Sequence, residues 1–320
     1  MHLIGGRGNQ FGEAARNAIS AMDQFGIETA VVFPPPMPIS VFDYLEYVPA
    51  LRQYPGRFAF LAGGGTLNSI LQKTPASAVS AQVKQSFVDQ AKRMLDAGAH
   101  GFGEIAVLHL SLVPNHPFEQ ISANHPLLLA LIEVASERKA VIDMHMDPVI
   151  GAMASPASLK SPPNPKQLAA NISQFETLLA HGPNAHLVWA HGGSDFTGNM
   201  TPDLIGQLMG THPNLAMSLR PIPFLAATRN PFGHQYYNLM LTPEGIVPDW
   251  LELLQKFPDR FVMGADTFFL SSSVGEQSPV VNLGKGNEPR LRAAQVALSR
   301  LPGELRQKIA FENPRSLYGI

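Results

Sequence analysis

The chain has 320 residues, enough to bury the core of one large α/β domain, and 45% of them are hydrophobic. Its formal net charge is −2 and no long single-sign run occurs, which argues against nucleic acid or an anionic membrane surface as partner. There is no cysteine, so disulfides and thiolate zinc sites are excluded, and any metal must be held by Asp, Glu or the 11 histidines.

The elements alternate along the chain. "MHLIGG" opens as a β-run. "NAISAMDQFGI" has helical spacing and leads into "TAVVFPPP", a buried strand stopped by prolines. "VFDYLEYVPALRQYPG" is helical and precedes "RFAFLAGGG". The long amphipathic "AQVKQSFVDQAKRMLDAGA" precedes "HGFGEIAV", and "HPLLLALIEVASERK" precedes "AVIDMHMDP". "NISQFETLLAHGPN" leads into "AHLVWAHGG", "TPDLIGQLMGTHPN" into "LAMSLRPIP", and "PDWLELLQKFPD" into "RFVMGADTFF". Closing helices follow from residue 288 onward. Eight β-runs, each followed by helical sequence, predict a single-domain (β/α)8 TIM barrel over 1–320 rather than an open doubly wound sheet. Neither "LIGGRGN" nor "LAGGG" is a nucleotide-binding glycine motif.

In such a barrel the C-terminal strand ends face the active site. Reading off those ends gives His2, Glu104, His145, His191, Arg220 and Asp266 on runs one and four to eight. Each has an ordinary alternative: a frayed terminus for His2, a barrel ion pair for Glu104, a satisfied core histidine for His145. Likewise His191 suits a cap, Arg220 a surface turn and Asp266 an N-cap. Their recurrence at matching positions favours one site over six coincidences, because isolated polar groups at buried strand ends are costly. Imidazoles and carboxylates together suit zinc or a similar divalent ion, which activates water and polarises a carbonyl. Asp266 is expected as ligand, as base, or as both in turn, and His191 as the group that polarises or protonates substrate. Arg220, with Arg7 and Arg229 in loops, suits a substrate carboxylate. Long loops after runs five, seven and eight carry Phe224, Phe232, His234, Tyr236, Tyr237, Phe268 and Phe269, and predict a semi-apolar pocket over the mouth.

These segments resemble the amidohydrolase superfamily, specifically the amidohydrolase-related family 2 branch of metal-dependent hydrolases and aminocarboxymuconate-semialdehyde decarboxylase-like enzymes. "YPGRFAFLAG", "HPLLLALIEVASERKAVIDMH" and "NAHLVWAHGG" are similar to its entries into strands three, five and six. "FPDRFVMGADTFF" resembles its strand-eight pattern, with Ala265 where serine is usual, and "ENPRSLYGI" resembles its terminal signature. The resemblance implies a metal site of His2, His145 and Asp266, with His191 as the catalytic strand-six histidine. It implies Glu104 as a further metal or substrate contact. It also implies an H-x-H on strand one, of which "MHL" holds only the second histidine, so the expectation is that a few residues of strand one are missing. The implied cofactor is one divalent ion, zinc before manganese, and the implied assembly is a homodimer. The activity expected is hydrolysis of a small ester, lactone or amide by metal-activated water. Decarboxylation of an aromatic or unsaturated acid is the alternative, and a metal-free, non-catalytic barrel is the third. The compartment expected by default is the cytoplasm, with export if a signal peptide lies upstream.

Overall fold

The computed structural model describes residues 1–36, 42–112, 116–159, 161–223 and 233–320. Arg229, Phe224 and Phe232 lie outside the described residues. Eight parallel strand positions form a ring. They are β1 (His2–Ile4), β2 (Ala30–Val32), β3 (Phe58–Phe60, resuming at Ala62–Gly63) and β4 (Gly101–His109). The other four are β5 (Val141–Met146), β6 (His186–Gly192), β7 (Leu215–Leu219) and β8 (Phe261–Met263, resuming at Phe268–Leu270). Neighbours pair in sequence order from β2 to β8, and the second part of β8 pairs with β1. Two bonds at Met1 close the circle: its ammonium donates to Val31 O at 3.2 Å, and Phe33 N donates to its carbonyl at 3.1 Å. The TIM barrel expected from the β/α alternation is the architecture found.

A helix follows each strand: α1 (Phe11–Phe25), α2 (Tyr44–Leu51), α3 (Ala81–Asp96), α4 (Pro126–Arg138), α5 (Ile172–His181), α6 (Pro202–Thr211), α7 (Pro248–Lys256) and α8 (Asn287–Arg300). Local chemistry sets their limits. Ser80 caps α3 by accepting from Val83 N at 3.2 Å, and Phe87, Ala91 and Met94 form its buried stripe. Thr201 caps α6 in the same way, with Pro202 at the first helical position. Helix α1 ends at Gly26, whose φ of 66° is the left-handed conformation that glycine adopts without strain.

Strand residues alternate between two cores. Outward, Trp189 packs on Phe175 with ring centroids 5.3 Å apart, part of the layer between barrel and helices. Inward, Leu61, Val141, Val188, Ala216 and Val262 fill the barrel floor together with Tyr318 from the C-terminal helix. Two-residue steps carry the inner face upward: Val141, Asp143 and His145 on β5, Ala216, Ser218 and Arg220 past β7, and Val262, Gly264 and Asp266 along β8. The polar residues read off the strand ends thus stand above an apolar floor. Among the described residues no helix is long and apolar enough to cross a membrane.

Small pairings absent from the sequence reading decorate the rim. Glu119–Gln120 adds an antiparallel strand to Leu108 and His109, and Met153–Ala154 pairs with Gln167–Leu168 in the loop after β5. Glu119 is buried; its Oε1 accepts from Asn68 Nδ2 at 2.8 Å, while Oε2 has no partner among the described residues. Burial, reinforced by the Glu104 charge and only partly offset by the Asn68 hydrogen bond, pushes this carboxyl from 4.5 up to about 7. The folded chain therefore holds a proton that the unfolded chain releases above pH 4.5, and stability falls as pH rises from there through about 7. Glu119→Gln should remove a decline of roughly 3 kcal/mol across that window, measured by denaturant titration at pH 5 and pH 8. Parallel pH profiles for variant and parent would refute it.

Candidate active site

Irregularities in two strands aim the site residues. The β4–β5 register shifts between Phe102 and Ile105, and again between Ala106 and Leu108. The first bulge swings Glu104 into the barrel, and the second places His109 at the rim. The β6–β7 register shifts between Trp189 and Gly192, which frees His191 from the regular alternation. His191 and Asp266 both hold positive φ, 80° and 47°. Such backbone costs about 1 kcal/mol or more per residue and is kept only where the surroundings enforce it. Gly192 is part of that enforcement: a Cβ there would lie 2.4 Å from Met217 Sδ.

Five of the expected residues converge directly. His2 Nδ1 lies 2.9 Å from Phe33 O, so this nitrogen carries the proton and donates. The ring is wedged against Phe268 and the edge of Phe33, with centroids 4.6 and 5.0 Å away. Its other nitrogen, Nε2, faces Asp266 Oδ1 at 3.3 Å and Glu104 Oε2 at 3.5 Å. The second oxygen of Glu104 accepts from His145 Nδ1 at 2.7 Å. Each of Glu104, His145 and His191 offers a ligand atom within 4.8 Å of the others. His191 Nε2 is also 3.9 Å from Asp266 Oδ2. His2, Glu104, His145, His191 and Asp266 therefore form one cluster.

Arg220 joins them through Asp266. Its Nη1 donates to Asp266 Oδ2 at 2.6 Å and its Nε to Ser194 Oγ at 2.7 Å. Arg7 lies exposed in the turn after β1. Of the loop aromatics, Phe268 braces His2, Phe269 is buried in the outer core, and Tyr236 packs on Phe196 with centroids 5.1 Å apart.

Five residues of the site went unread in the sequence. Asp147 Oδ2 lies 3.6 Å from His145 Nε2 and accepts from Leu110 N at 3.1 Å. Its signal was present, since it stands two residues beyond His145 on the same strand face. Ring contacts run from His116 to His109 at 4.8 Å, to His145 at 4.5 Å, and on to His191 at 4.6 Å. His109 was hidden by the β4 bulges, which break the two-residue period. Ser194 and Arg290, which donates to Asp266 O at 2.8 Å, carry no sequence signal of their role.

Burial and charge set the protonation of the cluster. Burial works against ionised Glu104, but the His145 hydrogen bond and the His145, His191 and His2 charges outweigh it and bring the carboxyl to about 2. His145 is opposed by burial as well, yet its hydrogen bonds to Asp147 and Glu104 raise it to about 10. Burial, with the Arg220 and His145 charges, holds His191 well below its ordinary value, so it is neutral at pH 7. Against the cost of burial, Asp266 is kept well below the usual carboxylate range by His2 and Arg220.

With this geometry in place, comparison with known proteins adds the family of the fold. No family model and no curated protein sequence matches the chain. Solved structures do. A structure described as an amidohydrolase II superposes with a TM-score of 0.52 at 15% identity, over 95% of this chain and 88% of its own. A probable 2-pyrone-4,6-dicarboxylic acid hydrolase from Acinetobacter baumannii, solved with citric acid bound, gives 0.52 at 12% identity over the same shares. The fold is that of the amidohydrolases. The resemblance read from the strand motifs and the three-dimensional likeness therefore agree on the amidohydrolase barrel.

The Arg220–Asp266 pair yields a test that needs no substrate. Arg220→Met should destabilise the chain by about 3 kcal/mol, because a buried carboxylate loses its closest cation. Arg220→Met combined with Asp266→Asn should recover part of that loss. Chemical denaturation of the three variants measures it, and strictly additive losses would show that the two side chains do not interact.

Proposed function

We propose that this chain is a metal-dependent hydrolase of the amidohydrolase type, acting on an ester, lactone or amide of a small carboxylate-bearing molecule. One observation carries the reading. With Nδ1 committed to Phe33 O, His2 Nε2 is the nitrogen that faces two buried carboxylate oxygens, 3.3 and 3.5 Å away. Three atoms of metal-ligand type converge there, the arrangement a bound divalent cation uses. The donor set fits a divalent ion: His2, Asp266 and Glu104 on one side, His145 and His191 alongside. A divalent ion there, zinc before manganese, would supply Lewis acidity and an activated water.

The chain's own residues divide the remaining work. Asp266, held ionised, accepts the proton of the attacking water, and Arg220 fixes its Oδ2. His191, neutral and aimed by its strained backbone, presents an imidazole to the carbonyl oxygen as charge develops there. Glu104 fixes the His145 ring through Nδ1, and Asp147 stands 3.6 Å from Nε2, the nitrogen left available as a ligand. The guanidinium of Arg220, at the rim beside Ser194, is the anchor assigned to a substrate carboxylate. A carboxylate ligand also occupies one of the two similar structures, the dicarboxylic acid hydrolase that carries citric acid.

Two substitutions test the assignment. Asp266→Asn should lower kcat/KM on any ester, lactone or amide found by screening by about 10³-fold, with the far-UV spectrum unchanged. Retained turnover would remove Asp266 as the base. His145→Ala should weaken zinc binding by more than ~100-fold in competition with a chromophoric chelator, and unchanged affinity would take His145 out of the ligand set. Carbon dioxide released from an aromatic or unsaturated acid, with no hydrolysis in the screen, would overturn hydrolysis in favour of decarboxylation.

A further inference from the structure

Two histidines at the mouth take no part in the hydrolysis proposed above. His109 ends β4, with its ring 4.5 Å from that of His145, and His116, in the loop that follows, lies 4.8 Å from His109. With His191 on β6 and Arg220 just past β7, they complete an arc around the rim: His116, His109, His145, His191, Arg220. The metal centre and the carboxylate anchor leave its His109 and His116 end unused. Backbone contacts fix opposite polarity on these two rings. His109 Nδ1 faces Pro117 O at 3.2 Å, so this nitrogen carries the proton and donates. That carbonyl is its one polar partner among the described residues, and the ring is buried, which favours the neutral form with a lone pair on Nε2. His116 is the reverse: its Nδ1 accepts from Leu112 N at 3.0 Å, so Nε2 carries the proton. The loop is held in place, since Ser111 Oγ donates to His116 O at 2.7 Å and Asn164 bonds both backbone groups of Ser111 at 2.8 Å. Among the described residues, the sealed side-chain polar atoms without a partner are Glu119 Oε2 and His212 Nε2. The Nε2 atoms of His109 and His116 have no partner there either, and are therefore open to solvent.

We propose that His109 and His116 form a subsite for a substrate hydroxyl, so that the substrate lies along the arc with its carboxylate at Arg220, its carbonyl at His191 and its hydroxyl at the far end. The proposal rests on the hydrolase reading and narrows its substrate to a derivative of a hydroxylated acid. The polarity of the pair makes the choice. A carboxylate has only acceptors and would confront the His109 lone pair, whereas an ammonium has only donors and would confront the His116 N–H. A hydroxyl donates to the first ring and accepts from the second through a single oxygen, which suits rings 4.8 Å apart. A site built to hydrogen-bond a hydroxyl also rejects analogues that lack it, because its own polar atoms are then left unpaired.

Nitrogen NMR of the imidazoles should show the proton on Nδ1 of His109 and on Nε2 of His116, and the same tautomer in both would overturn the proposal. Cyclohexanol, a hydroxyl without a carboxylate, should shift both Nε2 signals saturably, and His116→Phe should abolish the shift at His109. No shift in the parent chain would overturn the subsite. Calorimetric titration with ω-hydroxyalkanoates and alkanoates of equal length should find the hydroxy acid bound about 5-fold tighter. That preference should vanish in both His109→Phe and His116→Phe, which keep an aromatic ring against the neighbouring imidazole. Equal binding of the two acids across the series, or a preference kept by both variants, would overturn it. Cyclohexanol bound with no acid bound would uphold the subsite and strike the Arg220 anchor instead, so the two failures are distinct.

Discussion

One imidazole nitrogen organises this molecule. His2 Nε2 sits between the carboxylates of Asp266 and Glu104, with its other nitrogen committed to Phe33 O. Two buried anions around one ring call for further positive charge, and the surrounding structure supplies it from several directions. Arg220 takes one oxygen of Asp266, and His145 takes one oxygen of Glu104. The remaining oxygens and His2 Nε2 face one another at the mouth of the barrel. The fold concentrates electron-rich atoms there and braces every one of them from behind, which is the preparation a divalent cation requires.

That arrangement depends on departures from regular β-structure. A strictly alternating β4 could not turn Glu104 inward while keeping its neighbours in register, and the bulges provide the extra residues. Positive φ at His191 and Asp266 performs the same service on β6 and β8. These departures are affordable because the floor below is ordinary, filled by Leu61, Val141, Val188, Ala216 and Val262 with Tyr318 beneath. The packed lower layer provides the stability, and the strained upper layer provides the chemistry.

Much of this was legible in the sequence because β/α alternation and the helical stripes are strong periodic signals. All eight strands lie where the apolar runs placed them, and His2, Glu104, His145, His191, Arg220 and Asp266 do meet. What escaped was whatever the period does not encode. The position of His109 depends on a bulge, and Ser194 and Arg290 act through contacts 26 and 24 residues away in the chain. Asp147 was readable in principle, two places beyond His145. The Arg220–Asp266 pair also escaped, because sequence does not show which carboxylate a rim arginine meets. Arg229 lies outside the described residues.

The most direct measurement is the metal content of the purified chain by elemental analysis after exhaustive dialysis without chelator. Convergence of His2, Asp266 and Glu104 on one point predicts close to one equivalent of a divalent ion, zinc or manganese, which is lost from His145→Ala. A parent chain that stays metal-free even after reconstitution with excess zinc and manganese would contradict it, and would leave Arg220 and His145 as the partners that balance the buried carboxylates.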